Sequence, residues 1–350
     1  MLERVRIVGA GLIGTSIALA LSAHGVRVEL TDSSTAAANL ANDLVGASHV
    51  ESPEVVIFAL PTSRLPLVIG LEYQLNPHST FMDVGSIKTH AIEHVKSSSL
   101  PIEQFVPTHP MAGREIGGAR AARADLFELR TWVLTPTPEC TPKAIATVRE
   151  LIEILGGQVL TLPADEHDRA VARISHLPQI SAALLAASLR AAPPAWLELA
   201  GQGLRDTTRI AESEPALWSE IIFSNRVEIK ALLQELYGEL GGLIESINDQ
   251  SAIESFLKGG VEGRALIPGK HGGKARAYTH LPIVIDDKPG QLAAIFNECA
   301  AIKVNVEDLS IEHSPGQLSA LITLSLSSHD AIALSQHLSE LGWNVHPILK

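Results

Sequence analysis

Three glycines near the N-terminus, at positions 9, 11 and 14, follow a strand-like apolar run (5–8) and precede a helical pattern that continues to His24. In a strand-to-helix turn of this kind, the first glycine allows the tight turn and the second lets a pyrophosphate approach the backbone. The third lets the helix pack on the strand. The sequence therefore predicts a dinucleotide-binding loop. The residues expected to contact the dinucleotide are Gly9, Gly11, Leu12, Ile13 and Gly14.

An acidic residue after the second predicted strand (26–30) indicates which dinucleotide binds. Asp32 lies 18 residues after Gly14, which is the spacing of the ribose-binding acid in such units. Its carboxylate would accept hydrogen bonds from a ribose 2′-hydroxyl and would repel a 2′-phosphate. We therefore expect NAD, and not NADP, as the cofactor.

The first third of the chain alternates strand-like and helical segments, which is typical of a parallel sheet with helices on both faces. We expect an α/β, Rossmann-type NAD-binding domain at 1–163. Its helix at 142–155 has proline in the first turn and glycine beyond the end. The further predicted strands are 55–60, 80–84, 104–106, 132–135 and 159–162.

Strand patterns then stop, and residues 164–258 predict an all-helical domain for substrate binding and dimerisation. The predicted element at 215–247 has more apolar surface than a short helical bundle would cover. We therefore expect a homodimer. Residues 259–277, rich in glycine and basic residues, predict a linker. Residues 278–350 predict a βαββαβ domain of the ferredoxin-like type.

Composition excludes several classes of function. The 350-residue chain has a net charge of −12, which is the wrong sign for binding nucleic acid or an anionic membrane surface. No segment has the length and apolarity of a membrane span. The two cysteines lie far apart, which favours a reducing cytoplasm. No spacing indicates a metal site, and we expect none.

Two loops after predicted strands contain candidate catalytic residues, because ligands bind at the carboxyl ends of strands in an open parallel sheet. Ser86 lies in the first loop (83–88) and His109 in the second (107–115). A histidine with a pKa near 6.5 could take a proton from a substrate hydroxyl while hydride leaves the same carbon. The alternative is an exposed or loop-capping histidine.

A pair of arginines in the helical region suits an anionic substrate. Arg205 and Arg209 lie one helical turn apart, and guanidinium groups bind carboxylates in a fork geometry. The alternative is a solvated ion-pair ladder through Asp206, Glu212 and Glu214.

Taken together, six motifs resemble those of the prephenate dehydrogenases of tyrosine biosynthesis. They occur in the family's order, and the resemblance extends from the first strand to about residue 260. The C-terminal residues IDDKPGQLAAIF (285–296) and NVEDLSIEH (305–313) resemble an ACT domain, an amino-acid-binding regulatory module. The six motifs are GAGLIG (9–14), DVGSIK (83–88), THPMAGRE (108–115), WVLTP (132–136), SHLP (175–178) and GLRDTTRIA (203–211).

The resemblance implies an NAD-dependent oxidative decarboxylation of prephenate to 4-hydroxyphenylpyruvate, carried out by a dimer that pairs through its helical domain. His109 and Ser86 would meet the ring 4-hydroxyl, and Arg209 would bind a substrate carboxylate. The remaining implied roles are pocket walls for His176, Arg205 and Trp218, and an ionic network at the pocket mouth for Glu115 and Asp206.

Two positions depart from the family pattern and leave the substrate open. Gln179 stands where SHLP is often followed by histidine, and Arg114 stands where a small residue usually follows HPMAG. Arogenate, which has an amino group where prephenate has a keto group, is therefore the alternative substrate. Two other classes stay open: a β-hydroxyacid dehydrogenase, and a regulator that senses NAD and amino acids without catalysis.

The C-terminal module suggests feedback control by an aromatic amino acid, with tyrosine favoured. A turn there leads into a helix whose free N–H groups could bind a carboxylate. A polar contact to the amino group would come from Asn305. The alternative is a structural appendage. The residues of the predicted effector turn are Pro289, Gly290, Gln291 and Leu292.

Overall fold

The computed structural model describes residues 2–113, 117–267, 278–313 and 319–349. The chain divides into two compact units, Met1–Gly238 and Glu239–Lys350, which are described separately. The predicted boundaries after residues 163 and 258 lie within these two units. Glu115 and Arg114 lie outside the described residues, as does the part of the predicted linker at 268–277.

The first unit is built on a seven-stranded sheet in the order β2-β1-β3-β4-β5-β6-β7. Neighbouring strands from β2 through β5 are parallel, as expected of a Rossmann-type domain. Strand order reverses between β1 and β3, which is where such sheets bind ligands. The strands are β1 (Arg4–Val8), β2 (Arg27–Thr31), β3 (Val55–Phe58), β4 (Thr80–Asp83), β5 (Phe105–Pro110), β6 (Thr131–Leu134) and β7 (Gln158–Thr161).

Helices cover both faces of this sheet, as the continuous apolar strands predict. Val55 and Ile57 of β3 belong to one apolar cluster, whereas Val56 and Phe58 belong to another on the opposite face. All four side chains are buried, because successive strand residues point to opposite faces that are both covered. The helices are α1 (Leu12–Ala23), α2 (Thr35–Val45), α3 (Leu65–Leu75), α4 (Thr89–Ser97) and α5 (Pro142–Ile154).

The far end of the sheet differs from the all-parallel prediction. β6 is antiparallel to β5, and β7 is parallel to β6. β5 is also longer than predicted: its pairing with β4 ends at Pro107, and residues 108–110 continue beyond that edge to pair with β6. His109 therefore lies on a strand, and not in a loop, because β6 supplies hydrogen-bond partners to this extension.

A helical layer completes the first unit, as the sequence predicts. The expected single element at 215–247 is two helices that meet at Asn225, because the side chain of Asn225 turns inward and is buried. One turn of π-helix, Ala172–His176, joins α6 to α7. The helices are α6 (Ala164–Val171), α7 (Leu177–Ser188), α8 (Pro194–Leu197), α9 (Gln202–Thr208), α10 (Pro215–Ser224) and α11 (Arg226–Glu245), the last of which continues into the second unit.

The second unit begins within α11 and includes α12 (Gln250–Ala265). α12 occupies residues 259–265, where the sequence predicted a linker. The side chain of Asp249 accepts hydrogen bonds from the first free N–H groups of α12, and the helix then propagates through Gly259 and Gly260. Over the described ranges, no helix is long and apolar enough to cross a membrane.

The C-terminal elements follow the predicted βαββαβ order and form a four-stranded antiparallel sheet, β11-β8-β10-β9, with its own apolar core. β9 begins later than predicted, so Asn305 lies in the loop before it. β11 has two residues instead of the expected six. The elements are β8 (Thr279–Asp286), α13 (Gln291–Ala301), β9 (Asp308–His313), β10 (Ser319–Leu326), α14 (Ser328–Glu340) and β11 (Asn344–Val345).

The glycine loop gives a test of the packing at the start of α1. A Cβ at residue 14 would lie 2.0 Å from the carbonyl oxygen of Gly9, whereas a Cβ at residue 11 would meet nothing within 4 Å. Gly14→Ala should therefore destabilise the chain by about 1–3 kcal/mol. Gly11→Ala, its matched control, should cost less than about 1 kcal/mol. Denaturant unfolding measures both, and equal losses would contradict this account.

Candidate active site

The glycine loop has the properties of a phosphate-binding turn. Gly9 has φ +116°, and a Cβ there would lie 2.1 Å from the carbonyl oxygen of Ala59, so only glycine fits. Gly11 is the N-cap of α1 and caps it with no side chain. Leu12 and Ile13 form the first turn of α1, whose N–H groups can bind an anion. Because the space beside Gly11 is open, the loop fits a pyrophosphate.

Asp32 follows β2 and is ordered by backbone donors. Its Oδ2 accepts a hydrogen bond from Ala10 N–H at 2.8 Å, and its Oδ1 accepts one from Ser34 N–H at 2.8 Å. A carboxylate has about four acceptor positions. Asp32 can therefore keep both bonds and still accept hydrogen bonds from ribose hydroxyls beside the glycine loop.

His109 joins a chain of hydrogen-bonded side chains that leads into the helical layer. Its Nδ1 lies 2.9 Å from Nε2 of His167, and Nδ1 of His167 lies 2.8 Å from Oδ1 of Asp168. His109 is half-buried, whereas His167 and Asp168 are 1% and 2% exposed. The strand extension thus presents a histidine whose inner side is fixed by two buried groups of α6.

The Asp168 carboxylate receives donors from two different elements. Lys88 N–H donates to Oδ1 and Thr89 N–H to Oδ2, both at 2.9 Å, and the Thr89 hydroxyl also donates to Oδ2. Burial alone would raise the pKa of Asp168, but these hydrogen bonds and the one from His167 hold it below its usual range. Asp168 is therefore ionised, and it caps the start of α4 from another helix.

A buried ion pair lies beneath the same strand ends. The ammonium group of Lys88, which is 0% exposed, contacts the Asp83 carboxylate and donates to the Thr108 carbonyl at 2.6 Å. Burial lowers the pKa of Lys88 and raises that of Asp83, while their mutual contact opposes both shifts. Ser86 lies two residues before Lys88 on the loop after β4. Lys88 therefore ties this loop to the backbone that precedes His109.

Burial makes the site histidines weak bases. It lowers the pKa of His109 well below 6.5, with further lowering from His167, Lys88 and His176 and an opposing effect from Asp168. Burial also lowers the pKa of His176 to about 4. Both imidazoles are therefore neutral at pH 7 and can accept a proton.

The π-helical turn places His176 in the interior. Pro178 has no N–H to donate to the chain one turn earlier, and the helix widens just before it. Nδ1 of His176 lies 3.3 Å from Nδ2 of Asn225, which also donates to the Asp168 carbonyl at 2.8 Å. The ring of Trp218 meets that of His176 edge-on at 6.1 Å. His176 and Trp218 thus join the same buried cluster.

The predicted substrate arginines lie on the exposed edge of the helical layer. Arg205 and Asp206 are in α9, where Asp206 accepts a hydrogen bond from Gln202 at 2.7 Å. Arg209 begins the short 3-10 helix Arg209–Glu212. This helix lies against α7, because Ser213 Oγ is 3.4 Å from Oε1 of the buried Gln179. Glu214, a member of the alternative ion-pair ladder, caps α10.

Four buried polar residues of this cluster were not predicted as site residues from the sequence: Lys88, His167, Asp168 and Asn225. His167 and Asp168 are adjacent in the sequence, and no spacing around them indicates a metal site. Among the described residues, no group of three or more His, Cys, Asp or Glu side chains could hold a metal ion. The adjacent His-Asp pair before the SHLP motif was the available signal.

The fold and the site together define a dehydrogenase with a nucleotide-binding sheet and a helical layer that completes the active site. Two family models match the chain: "Prephenate dehydrogenase, nucleotide-binding domain" over residues 17–161 and "Prephenate dehydrogenase, dimerization domain" over residues 163–259. The chain belongs to the prephenate dehydrogenase family, and it is an NAD-dependent oxidoreductase.

Individual relatives support this assignment. A cyclohexadienyl dehydrogenase of Zymomonas mobilis is 31% identical, and the alignment covers 71% of this chain and 89% of the relative. A prephenate dehydrogenase of Bacillus subtilis is 27% identical over 94% of each chain. The crystal structure of Aquifex aeolicus prephenate dehydrogenase, in complex with hydroxyphenyl propionate and NAD+, has a TM-score of 0.68 at 26% identity. It covers 76% of this chain and 99% of that one.

The contacts of Asp32 predict the cofactor preference. Its carboxylate would lie close to any 2′-phosphate, so catalytic efficiency with NAD should exceed that with NADP. Asp32→Ser should reduce the difference in catalytic efficiency between NAD and NADP. It removes the negative charge and keeps a hydroxyl oxygen that can accept a hydrogen bond from the backbone. Steady-state kinetics with both cofactors measures the ratio, and equal efficiency in the unmodified chain would contradict the assignment.

The lowered pKa of His109 predicts the pH dependence of the reaction. A histidine whose pKa lies below 6.5 stays neutral, and can act as a base, until the pH falls below its own pKa. The acid limb of kcat/KM should therefore lie below pH 6.5 and should be absent in His109→Asn. A pH–rate profile tests this, and an acid limb at or above pH 6.5 that depends on His109 would show that the site does not lower the pKa of this histidine.

Proposed function

We propose that this enzyme oxidises prephenate to 4-hydroxyphenylpyruvate and CO2 with NAD. The observation that carries the proposal is the placement of His109. It is half-buried and neutral at the carboxyl edge of the sheet, and its inner side is held by groups from the helical layer. The glycine loop and Asp32 occupy the same edge of the sheet, which suits hydride transfer between a bound substrate and the cofactor.

The residues of the chain divide the chemistry between them. NAD supplies a hydride acceptor; Gly9, Gly11, Gly14 and Asp32 would hold it. His109 takes the proton of the ring 4-hydroxyl while hydride leaves C4 of the ring, and the Ser86 hydroxyl hydrogen-bonds to the same oxygen. The carbon–carboxylate bond then breaks, its electron pair enters the ring, and aromatisation drives the loss of CO2. His109 returns its proton to the phenolate oxygen.

Substrate binding falls to the helical layer. Arg209 is assigned to a prephenate carboxylate, because a guanidinium forms charge-assisted forked hydrogen bonds with that group. His176, Arg205 and Trp218 are assigned to the pocket walls, and Asp206 to its mouth. Binding by Arg209 must favour the transition state over the ground state if it is to raise turnover.

Arogenate is the alternative substrate, and Gln179 is the residue that would admit it as well as prephenate. Gln179 is buried beside the 3-10 helix that carries Arg209. An amide can donate to a keto group or accept from an ammonium group, so this residue suits either side chain.

The increase in absorbance at 340 nm, with NAD and each substrate in turn, distinguishes the two substrates. No reduction of NAD with either substrate would contradict the proposed activity.

The helical layer is also assigned to pairing two copies of the chain. Phe223, Val227 and Tyr237 are 67%, 72% and 78% exposed, and they lie on α10 and α11. The description of residues 163–259 as a dimerization domain supports burial of this surface by a second copy. Multi-angle light scattering tests the homodimer.

Regulation by an aromatic amino acid is assigned to the C-terminal module. Gly290 has φ +91° and begins α13 with no capping side chain, so the turn leaves backbone donors for a carboxylate. Pro289, Gln291 and Leu292 would line this turn. The Asn305 amide group donates to Glu307 at 2.9 Å, and its oxygen can still accept from an amino group.

Two substitutions separate catalysis from binding. His109→Asn should lower turnover by ~10²- to 10⁴-fold and leave NAD affinity nearly unchanged, because it removes the general base alone. Arg209→Ala should chiefly weaken substrate binding, by about 1.5–3 kcal/mol, because it removes charge-assisted hydrogen bonds. Steady-state kinetics measures both, and unchanged turnover in His109→Asn would refute the catalytic role.

Effector binding can be measured on the C-terminal module alone, because it has its own core. We expect calorimetry on residues 278–350 to detect L-tyrosine, and Gly290→Ala to weaken that binding. In the full chain, tyrosine should shift apparent substrate affinity by roughly 5- to 150-fold, the usual range of effector coupling. A chain that ends near residue 273 should lose this effect of tyrosine on substrate affinity. Absence of binding of any aromatic amino acid would contradict the assignment.

A further inference from the structure

The proposed function gives the buried pair His167 and Asp168 no role beyond holding the inner side of His109, which His167 contacts directly. The pair lies on α6, whereas His109 lies on β5, and the three side chains are linked by contacts of 2.9 and 2.8 Å. Within the part of the chain that the structure describes, no metal site explains the pair. Packing alone does not explain the pair either. Burying linked polar side chains costs free energy unless each of them has a hydrogen-bond partner.

The donors around Asp168 fix where the protons of this chain lie. Its carboxylate accepts from Lys88 N–H, Thr89 N–H and the Thr89 hydroxyl, and an ionised carboxylate can only accept. Nδ1 of His167 must therefore carry a proton and donate it to Asp168. In a neutral imidazole the other nitrogen is then an acceptor, so Nε2 of His167 accepts from Nδ1–H of His109.

We propose that His167, oriented by Asp168, is a positioning residue that holds His109 in the tautomer protonated on Nδ1, so that Nε2 bears the lone pair for the substrate hydroxyl. This proposal deepens the proposed function and rests on it for the role of His109. With the proton on Nε2 instead, His109 would present a donor to the hydroxyl and could not act as a base.

The other titratable groups near His109 cannot take over this task. Lys88 is a donor whose ammonium group is engaged by Asp83 and the Thr108 carbonyl. Nδ1 of His176 is engaged by Asn225. His167 is the described side chain that faces Nδ1 of His109 at hydrogen-bond distance.

Placing an imidazole between base and carboxylate has a chemical consequence. A carboxylate in direct contact would strongly favour the protonated form of His109 and raise its pKa. With His167 between them, Asp168 acts from a greater distance, and its attraction falls with that distance. His109 is therefore oriented by a hydrogen bond to a buried group, yet it remains neutral before the reaction and can return its proton afterwards.

The test compares two substitutions of His167 with the substrate that the unmodified chain oxidises faster. His167→Phe keeps a ring but removes the acceptor, and turnover should fall by ~10²-fold, the cost of a misplaced catalytic group. His167→Gln restores an acceptor oxygen near the position of Nε2, so its turnover should fall less, by about tenfold. KM and NAD affinity should change little in both variants, and retained NAD affinity shows that they are folded.

His337→Phe, which breaks a histidine–carboxylate pair in the C-terminal module, is the matched control and should keep full turnover.

A double substitution decides whether His167 acts through His109. If it does, His109→Asn with His167→Phe should be no slower than His109→Asn alone, because the positioned group is already gone. Multiplicative losses, or unchanged turnover in His167→Phe, would overturn the proposal. Failure of the proposed function would look different, because His109→Asn itself would then keep full turnover.

The tautomer can also be observed without catalysis. In protein labelled with ¹⁵N-histidine, long-range ¹H–¹⁵N spectra distinguish the two neutral forms, and the His109 signals are those missing from His109→Asn. We expect the form protonated on Nδ1 in the unmodified chain and a mixture of forms in His167→Phe. The Nε2-protonated form in the unmodified chain would overturn the proposal.

Discussion

The carboxylate of Asp168 is the interaction on which the arrangement of the first unit depends. Removing a charge this completely from water costs several kcal/mol, which is tolerable only when every acceptor position is used. Here the partners come from α4, from its own neighbour His167 and, through its carbonyl, from Asn225. One residue thus caps a helix of the nucleotide-binding part, fixes a histidine and secures the junction of α10 and α11.

This arrangement separates the tasks of the site. The cofactor loop depends on the close approach of Gly9 and Gly14 to neighbouring backbone, and Asp32 is ordered by the same loop. The proposed base depends instead on contacts between β5 and α6. Cofactor preference can therefore change at Asp32 without disturbing the side chains around His109.

Local patterns predicted most of the first unit and failed where the structure depends on distant contacts. The strands were identifiable because each is a short apolar run, and the glycine loop because its spacing is specific. The direction of β6 was missed, although the absence of a helical pattern between β5 and β6 argues against a parallel crossover. Asn225 lies inside a continuous helical pattern. The side chain of Asn225 is buried against a partner that is distant in the sequence, and the same holds for His167 and Lys88. The hydrogen-bond partners of these residues are 49 to 80 positions away.

The placement of His109 and His167 on different layers has a consequence for the chain during its synthesis. The chain that precedes α6 contains the glycine loop, Asp32 and His109. The partner that orders the imidazole is made later and arrives only when α6 docks with Asp168 at the start of α4. The contacts that order His109 are therefore completed by residues made after the whole glycine loop and both edges of its turn.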